Sequence, residues 1–304
     1  MTLKEILSSL KENQAILHYN VSSLEQIKAG ILAVKETKTP LIIGVSEGER
    51  NYLNPKLVKE IIDFYREEDN LQDLIFLNAD HSKSLESAKR AIDLNYDSVL
   101  IDLSELDLEE NIRQTKELVE YADLRRLDAD FTQALIENEI SPRESALSPR
   151  RSALIEGEVG KIEGKSEIQK EVEIKKENLT KVESALKFVE ETKVDLLAVS
   201  IGNVHGIVEK EPELDFERGR EIAKAVKIPL VLHGASGLSI EKIKKCISIG
   251  FKIIHINTEF RKIWKEKLQQ ELKKETIIPY KIYEPVIEEI KKKIIYYQEE
   301  FFLK

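Results

Sequence analysis

The sequence predicts a (β/α)8 barrel, because eight short β-like runs alternate with longer helical patterns along 304 residues. The runs are continuously apolar instead of alternating, which is typical of parallel strands that are covered by helices. Eight such units favour a closed TIM barrel over an open doubly wound sheet. Barrels of this kind commonly reach this length as one domain, so we expect a single α/β domain over residues 1–304.

The predicted strands are five to seven residues long and are separated by segments that contain helical patterns. They cover 15–20, 41–46, 74–79, 98–102, 153–159, 196–201, 229–233 and 252–257. Between them, apolar residues recur at spacings of three and four, which predicts amphipathic helices. These helices cover 22–37, 54–68, 84–94, 109–122, 179–191, 216–226, 239–249 and 259–275.

Two segments depart from the βα pattern. Residues 123–152 form an overlong connection between the fourth helix and the fifth strand, with a tandem repeat, "SPRESAL" then "SPRRSAL", at 141–154. Pro142 and Pro149 disfavour a long continuous helix there, so we expect a solvated loop. The apolar pattern of the tail, 280–304, predicts a helix. Its apolar side should pack on the barrel exterior or on another subunit.

Composition excludes several classes of partner. The net charge is −9 with a pI near 5.4, and 34% of the residues are charged, which argues against a nucleic-acid surface. No apolar run approaches the ~20 residues of a membrane span. The N-terminus lacks the apolar core of a signal peptide, and the single cysteine cannot form an internal disulfide. A cytoplasmic protein with no membrane or nucleic-acid partner is expected.

Three histidines and one glutamate fall where predicted strands end. His81 follows the third strand, Glu158 lies on the fifth, His205 follows the sixth and His233 ends the seventh. TIM barrels place their chemistry at the carboxyl ends of the strands. A lone histidine there is more often structural, but imidazoles with one carboxylate are the ligand set of a catalytic zinc or similar divalent ion. The set therefore predicts a metal site.

Asp80 directly precedes the first predicted ligand on an extended segment. Its side chain should therefore point away from that of His81. Two roles stay open from the residues alone. Asp80 could transfer a proton, or it could orient a metal ligand by a hydrogen bond.

The last two predicted strands end in "HGASG" and "HINTEF", where barrels often bind phosphate through backbone N–H groups. Ser236 and Thr258 could contribute hydroxyls there or cap the following helices. Asn20 and Ser46 close the first two strands. Each could contact a polyol substrate or cap the next helix.

Several motifs together resemble the class II, zinc-dependent fructose-bisphosphate and tagatose-bisphosphate aldolases. They are "NADHSKSLESAKRAIDLNYDSVLIDLSELDLEENIRQTKELVEYA", "EGEVG", "VDLLAVSIGNVHG", "LDFERGREI" and "IPLVLHGASGLSIEKIKKCISIGFKIIHINTEFR", with "YNVSSLEQ" and "VSEGERNYL" near the start. The resemblance covers roughly 1–122 and 153–275. The Asp-His, "GNVHG" and "HGASG" motifs stand in the family's order.

The resemblance implies the roles of individual residues. His81, His205 and His233 match the zinc ligands, Glu158 matches a carboxylate that can approach the metal, and Asp80 matches the acid/base group. Gly206, Gly234, Ser236, Asn257 and Thr258 match the positions that hold the phosphate of the triose half. The full predicted substrate-binding set also includes Asn20, Ser46, Ala235 and His255. Zn²⁺ would polarise the ketone while Asp80 moves the hydroxyl proton. Fructose 1,6-bisphosphate would be cleaved reversibly to dihydroxyacetone phosphate and glyceraldehyde 3-phosphate, a step of glycolysis.

The sequence departs from the family pattern inside the barrel motifs. "LNADHS" has Asn78 where the family has histidine and Ser82 where it has glycine. His255 replaces an asparagine that normally contacts the triose phosphate.

The loop after "EVG" and the tail depart as well. Ser166 aligns with the loop acid that moves the triose C–H proton, so Glu167, or else Glu163, is the predicted substitute. Val286 stands where the tail motif normally carries an arginine for the second phosphate.

Rival functions follow from these departures. Another ketose phosphate is the nearest alternative substrate. A non-catalytic barrel that binds metal and phosphate as a sensor or structural partner is the alternative from a different class, and a metal-dependent hydrolase or isomerase is a third. A homo-oligomer, dimer or tetramer, is expected in each case.

Overall fold

The structure is a computed structural model that describes residues 1–139 and 153–303, without the side chains of 126–139 and 303. Eight parallel strands close a barrel. They are β1 (Ile16–Asn20), β2 (Leu41–Ser46), β3 (Ile75–Ser82), β4 (Ser98–Ile101), β5 (Leu154–Val159), β7 (Leu196–Val199), β9 (Leu230–Leu232) and β10 (Phe251–Ile256). The order around the barrel is β1-β10-β9-β7-β5-β4-β3-β2, which confirms the predicted fold.

Two further strands, β6 (Glu163–Gln169) and β8 (Val204–Val208), pair in a small parallel sheet that the sequence patterns did not predict. Helices cover the barrel. They are α1 (Leu3–Ser9), α2 (Leu24–Thr37), α3 (Glu47–Leu53), α4 (Pro55–Asp69), α5 (Leu85–Asp93), α6 (Leu108–Glu139), α7 (Val182–Thr192), α8 (Phe216–Val226), α9 (Ile240–Ser248), α10 (Thr258–Glu271) and α11 (Pro279–Gln298). A 3-10 turn, Lys176–Asn178, and a π turn, Glu299–Leu303, complete the described elements. None of these helices is long and apolar enough to cross a membrane.

The prediction of a loop after the fourth helix is wrong for residues 123–139, because α6 continues to Glu139. That stretch contains neither proline nor glycine, and about half of it is leucine, alanine, arginine and glutamate, which favour helix. Residues 140–152, with most of the tandem repeat, lie outside the described residues. The predicted tail helix is confirmed as α11, which packs against α2 and α10.

The short helix α1 closes the amino-terminal end of the barrel. Its buried Leu3, Ile6 and Leu7 pack against apolar side chains from the starts of the strands, such as Ile16 and Phe76. An amphipathic N-terminal segment thus covers the end of the barrel that lies opposite the strand ends where chemistry is expected.

The interior changes from apolar to polar along the barrel axis. The lowest layer is hydrophobic and contains Ile16, Ile42, Phe76, Leu154, Leu196, Val231 and Ile253. Side chains on one face of a strand recur every second residue. Two residues further along the strands, the positions are His18, Gly44, Asn78, Glu156, Ala198, His233 and His255. The middle layer is therefore buried and mostly polar.

Gly44 makes room for His18 in this layer. An added Cβ at Gly44 would lie 2.0 Å from Cε1 of His18, whose Nε2 is 3.1 Å from Oδ1 of Asn78. We expect Gly44→Ala to lower the free energy of unfolding by about 1–3 kcal/mol, the usual cost of overpacking. Urea denaturation measures the change.

Gly48 provides the control, because an added Cβ there meets nothing within 4 Å and the residue lies in α3. Gly48→Ala should gain about 0.5–1 kcal/mol from helix propensity. In a His18→Ala background, Gly44→Ala should lose most of its cost. An equal cost in both backgrounds would show that His18 is not the limiting contact.

Candidate active site

All five histidines of the chain form one connected cluster in the barrel. The ring of His18 stacks on that of His255, with centroids 3.4 Å apart, and His255 lies 3.9 Å from His233. His81 lies 4.9 Å from His233 and 5.2 Å from His205, again between centroids. The three histidines predicted as ligands are thus brought together from three distant parts of the sequence.

The donor set of these three histidines fits a single divalent ion. An ion bound tetrahedrally by imidazole nitrogens at about 2.0–2.1 Å would hold the ring centroids roughly 5 Å apart. The centroids of His81, His205 and His233 are 4.9, 5.2 and 6.1 Å apart, and the rings are tilted by 68° to 76° to one another. The rings are therefore inclined to one another and not stacked. Donor atoms of His81 and His233 lie within 4.8 Å of each other, whereas His205 belongs to no group of that spacing among the described residues.

Two carboxylates orient two of the three histidines, His81 and His233. His81 Nδ1 lies 2.7 Å from Asp102 Oδ2, and His233 Nε2 lies 2.9 Å from Glu156 Oε1. Each contact leaves the other ring nitrogen free, which is the usual arrangement behind a metal-binding histidine. The sequence patterns did not single out Asp102 or Glu156. The position of Glu156, two residues before Glu158 on the same strand face, was a usable signal.

The electrostatics of the cluster favour a cation at its centre. Burial by itself would lower the pKa of His81, but Asp80 and the hydrogen bond with Asp102 raise it to about 10. Burial lowers the pKa of His205 and that of His233 to about 3. The same negative field that raises the pKa of His81 would stabilise a metal ion in place of its proton.

Glu158 adds a fourth potential ligand. It is 2% exposed, its Oε2 has no hydrogen-bond partner, and its donor atoms lie within 4.8 Å of those of His81 and Asp102. Burial raises the pKa of Glu158 to about 8. An orphaned buried carboxylate oxygen beside the histidines is what a metal or substrate group would satisfy.

A second group of donors in the middle layer is less suited to a metal. His18, Asp80 and His255 lie close enough in distance. However, the rings of His18 and His255 are parallel to within 2°, so their lone pairs run side by side and cannot converge on one ion. We therefore assign this pair to the packing of the layer.

Asp80 faces the same cluster as His81, contrary to the expectation that the two side chains point apart. Oδ1 of Asp80 lies 3.8 Å from His81 Nε2 and 3.6 Å from His255 Nδ1. The cause is the backbone of His81, which has φ +43 and so breaks the alternation of the extended strand. Strained backbone of this kind concentrates at functional sites.

The hydrogen bonding of Asp80 is one-sided. Its Oδ2 accepts from Asn20 Nδ2 at 2.9 Å, while its Oδ1 has no partner, although the residue is only 3% exposed. Burial alone would raise the pKa of Asp80, but His81 and His18 hold it well below its usual range. Asp80 thus presents one free, ionised oxygen to the cluster.

The glycine turns predicted to bind phosphate adopt left-handed backbones. Gly206 has φ +93 and Gly234 has φ +66, and a Cβ at Gly234 would lie 2.2 Å from the Val204 carbonyl oxygen. Ser236 Oγ accepts from the backbone N–H of Asn257 at 3.1 Å, so it caps the start of α10. Ala235 and Thr258 are buried beside these turns.

Three further residues predicted to bind substrate, Asn257, Ser46 and His255, differ in their surroundings. Asn257 Oδ1 is buried without a partner. Ser46 caps α3 by accepting from the N–H of Glu49 at 3.5 Å. His255 lies in the middle layer against His18 and His233 instead of at the turns, so its predicted substrate contact would come from inside the barrel.

A cavity of about 260 Å³ opens beside the histidine cluster. His81, His205 and Glu158 form its inner wall, and Lys83, Asp102, Ser104, Glu105, Lys161, Ile162, Glu163, Gly164 and Ser166 complete the lining. Glu163 faces the cavity and accepts a hydrogen bond from Asn178. Glu167, the predicted loop acid, is exposed on β6 and does not line the cavity. Its catalytic role stays a prediction.

The sequence matches the family model described as "Fructose-bisphosphate aldolase class-II" over residues 1–129 and 143–302. The chain belongs to the class II fructose-bisphosphate aldolase family. The comparisons thereby support an aldolase, a carbon–carbon lyase, and the histidine cluster is the candidate metal centre of this class II aldolase.

Two curated relatives carry different names. A 6-phospho-5-dehydro-2-deoxy-D-gluconate aldolase from Bacillus licheniformis is 34% identical over 88% of this chain and 82% of its own length. A fructose-bisphosphate aldolase from Geobacillus stearothermophilus is 31% identical over 99% of this chain and 96% of its own length. Among solved structures, the YdjI aldolase from Escherichia coli K12 is 26% identical, with a TM-score of 0.76 over 99% of this chain and 98% of that one.

We expect the purified aldolase to retain about one divalent ion per chain, measured by elemental analysis. His205→Ala should lose most of it, because one of three imidazoles is removed. Asp102→Ala should weaken metal affinity about 10–100-fold, since the carboxylate that orients His81 is lost. Full retention in His205→Ala would remove that residue from the ligand set, and an unchanged affinity in Asp102→Ala would show that His81 needs no orienting partner.

Proposed function

We propose that this class II aldolase binds one zinc ion and cleaves a ketose phosphate, with fructose 1,6-bisphosphate as the first candidate. His81, His205 and His233 would hold the ion, with Glu158 as the carboxylate that can approach it. The convergence of the three tilted rings, two of them oriented by carboxylates, is the observation that carries the proposal. When bound, the ion draws electron density from the ketone carbonyl.

Asp80 would take the proton of the hydroxyl beside the bond that breaks. Asn20 occupies one of its oxygens, and the other is buried, ionised and without a partner at the edge of the histidine cluster. As this proton leaves the C4 hydroxyl, the C3–C4 bond breaks, the aldehyde departs and the bonding electrons stay on the triose half. A proton returned to C3 completes the balance. Glu167 is the proposed donor, and Glu163, which lines the cavity, is the alternative.

The phosphate of the triose half would lie at the turns after β9 and β10. Positive φ angles at Gly234 and at Gly206 in β8 fix the backbone beside these turns, because an added Cβ would lie 2.2 Å from the Val204 carbonyl oxygen or 2.3 Å from that of Glu167. The start of α10 supports this assignment, because a helix N-terminus offers backbone N–H groups and a favourable field to an anion. Ser236 is engaged in capping, so its contribution would be to fix the turn.

The two relatives bear on the choice of substrate. In both named substrates, fructose bisphosphate and 6-phospho-5-dehydro-2-deoxy-D-gluconate, a ketone stands next to a phosphorylated carbon. The halves that keep the ketone are therefore alike. The departing halves differ: one carries a hydroxyl and a phosphate, and the other carries a deoxygenated carbon and a carboxylate. Assaying this chain with both compounds, with and without a chelator, tests the proposal. No chelator-sensitive cleavage of any ketose phosphate would refute it.

Asp80→Ala should keep the fold and the metal while kcat falls about 10²–10⁴-fold, the usual scale of general acid–base catalysis. The reason is that the substitution removes the proposed acceptor of the hydroxyl proton. Steady-state kinetics with elemental analysis of the same sample measures both. Near-normal turnover would reduce Asp80 to a supporting role, and loss of the metal would make it a group that orients a ligand.

We expect only a weak preference for a second phosphate. Val286, at the position of the expected arginine, is fully buried in α11, and Arg50 is buried with its guanidinium donating to Val45 O, Asp80 O and Ser82 Oγ. Neither position therefore offers a guanidinium group that is available to bind a phosphate through two N–H groups. The kcat/KM for fructose 1-phosphate should approach that for fructose 1,6-bisphosphate at fixed zinc and ionic strength. A strong bisphosphate preference would mean that another cation has taken over this role.

A further inference from the structure

Glu49 is a buried carboxylate that none of the steps above uses. It lies in α3 and is 7% exposed. Its Oε2 accepts from the Ser46 N–H at 2.7 Å and from Asn20 Nδ2 at 3.1 Å, and its Oε1 accepts from Arg261 Nη2 at 2.6 Å. Three donors from three different elements therefore converge on one buried side chain, which holds it in a single orientation.

Asn20 connects Glu49 to Asp80. The same amide nitrogen, Nδ2, donates to Glu49 Oε2 and to Asp80 Oδ2 at 2.9 Å. Because both neighbours are carboxylates, the amide has to present its NH2 group to them, and a flipped amide would set its oxygen against two negative charges. Glu49 and Asp80 therefore hold the Asn20 amide together, and the position at which Glu49 holds it favours the bond to Oδ2 of Asp80, which leaves Oδ1 free.

Arg261 extends the connection to the cavity wall. Its Nη1 donates to the backbone oxygen of Ser166 at 3.2 Å, while its Nη2 holds Glu49. Ser166 lies on β6 and lines the cavity beside the histidine cluster. A line of hydrogen bonds thus runs from β6 through Arg261, Glu49 and Asn20 to Asp80.

We propose that Glu49 is a positioning residue for Asp80, acting through Asn20, and that Arg261 links this positioning to strand β6. The inference rests on the proposed function, since it takes Asp80 as the proton-transfer group. Without Glu49, the Asn20 amide can rotate and either oxygen of Asp80 can be held. The fraction of molecules with Oδ1 free then falls, which lowers turnover more than substrate binding.

The test compares Glu49→Ala and Glu49→Gln with the wild-type enzyme. Loss of an outer-shell orienting group typically costs 10–100-fold. We expect Glu49→Ala to lower kcat by about that factor, with KM within about threefold and full metal content. Glu49→Gln keeps one acceptor oxygen and should recover part of the loss. Asn20→Ala combined with Glu49→Ala should be no slower than Asn20→Ala alone, because both act on the same oxygen.

Glu271→Ala is the matched control. Glu271 is also a buried carboxylate paired with cations, Lys267 and Lys274, but it lies at the far end of α10 from the site. It should lower thermal stability and leave kcat unchanged. A Glu49→Ala enzyme with wild-type kcat, or losses from Asn20→Ala and Glu49→Ala that multiply, would overturn the inference.

A crystal structure of the Glu49→Ala variant separates this inference from the proposed function. If the wild-type enzyme cleaves no ketose phosphate, the proposed function fails, and the structure alone decides the role of Glu49. An Asn20–Asp80 hydrogen bond that is lost or re-formed to the other oxygen supports positioning by Glu49. The same bond retained on Oδ2 overturns it.

Discussion

Closure of the barrel is the constraint on which the rest of this structure depends. In a closed parallel barrel, every second side chain of each strand faces the axis, so inward residues of neighbouring strands meet in layers. The register pairs His18 directly with His255 and Gly44 with Asn78. The packing follows from that pairing. Two imidazoles on adjacent strands can stack only because a glycine, Gly44, leaves the adjoining space open.

The buried polar layer is only partly hydrogen-bonded. Buried polar groups are destabilising unless they are hydrogen-bonded. Asn78 is satisfied by His18 and Ser98, and His233 by Glu156. Two of the six buried side-chain atoms without partners in the described part of the chain, Asp80 Oδ1 and Glu158 Oε2, border the cluster where a metal and a substrate are proposed to bind. Polar groups that stay unsatisfied in a buried site are free to interact with a ligand.

The backbone conformation of His81 brings two neighbouring side chains into the same cluster. In a regular strand the side chains of Asp80 and His81 would face opposite sides of the sheet. The left-handed φ of His81 places both in the same cluster. Around them, Asp102, Glu156 and Glu49 act indirectly, each by fixing the orientation of a side chain that faces the centre.

Periodicity and strand-end position are local properties, so the sequence was enough to predict the barrel, most element boundaries and the meeting of His81, His205 and His233 in one cluster. Their role as metal ligands stays a prediction. Strand β2 was predicted to the residue and α8 likewise. The sequence patterns did not predict the partners Asp102, Glu156 and Glu49, the sheet of β6 and β8, or the turn at His81. Each of these depends on register, on a contact across the barrel or on a single dihedral angle, and only the closed tertiary structure decides those.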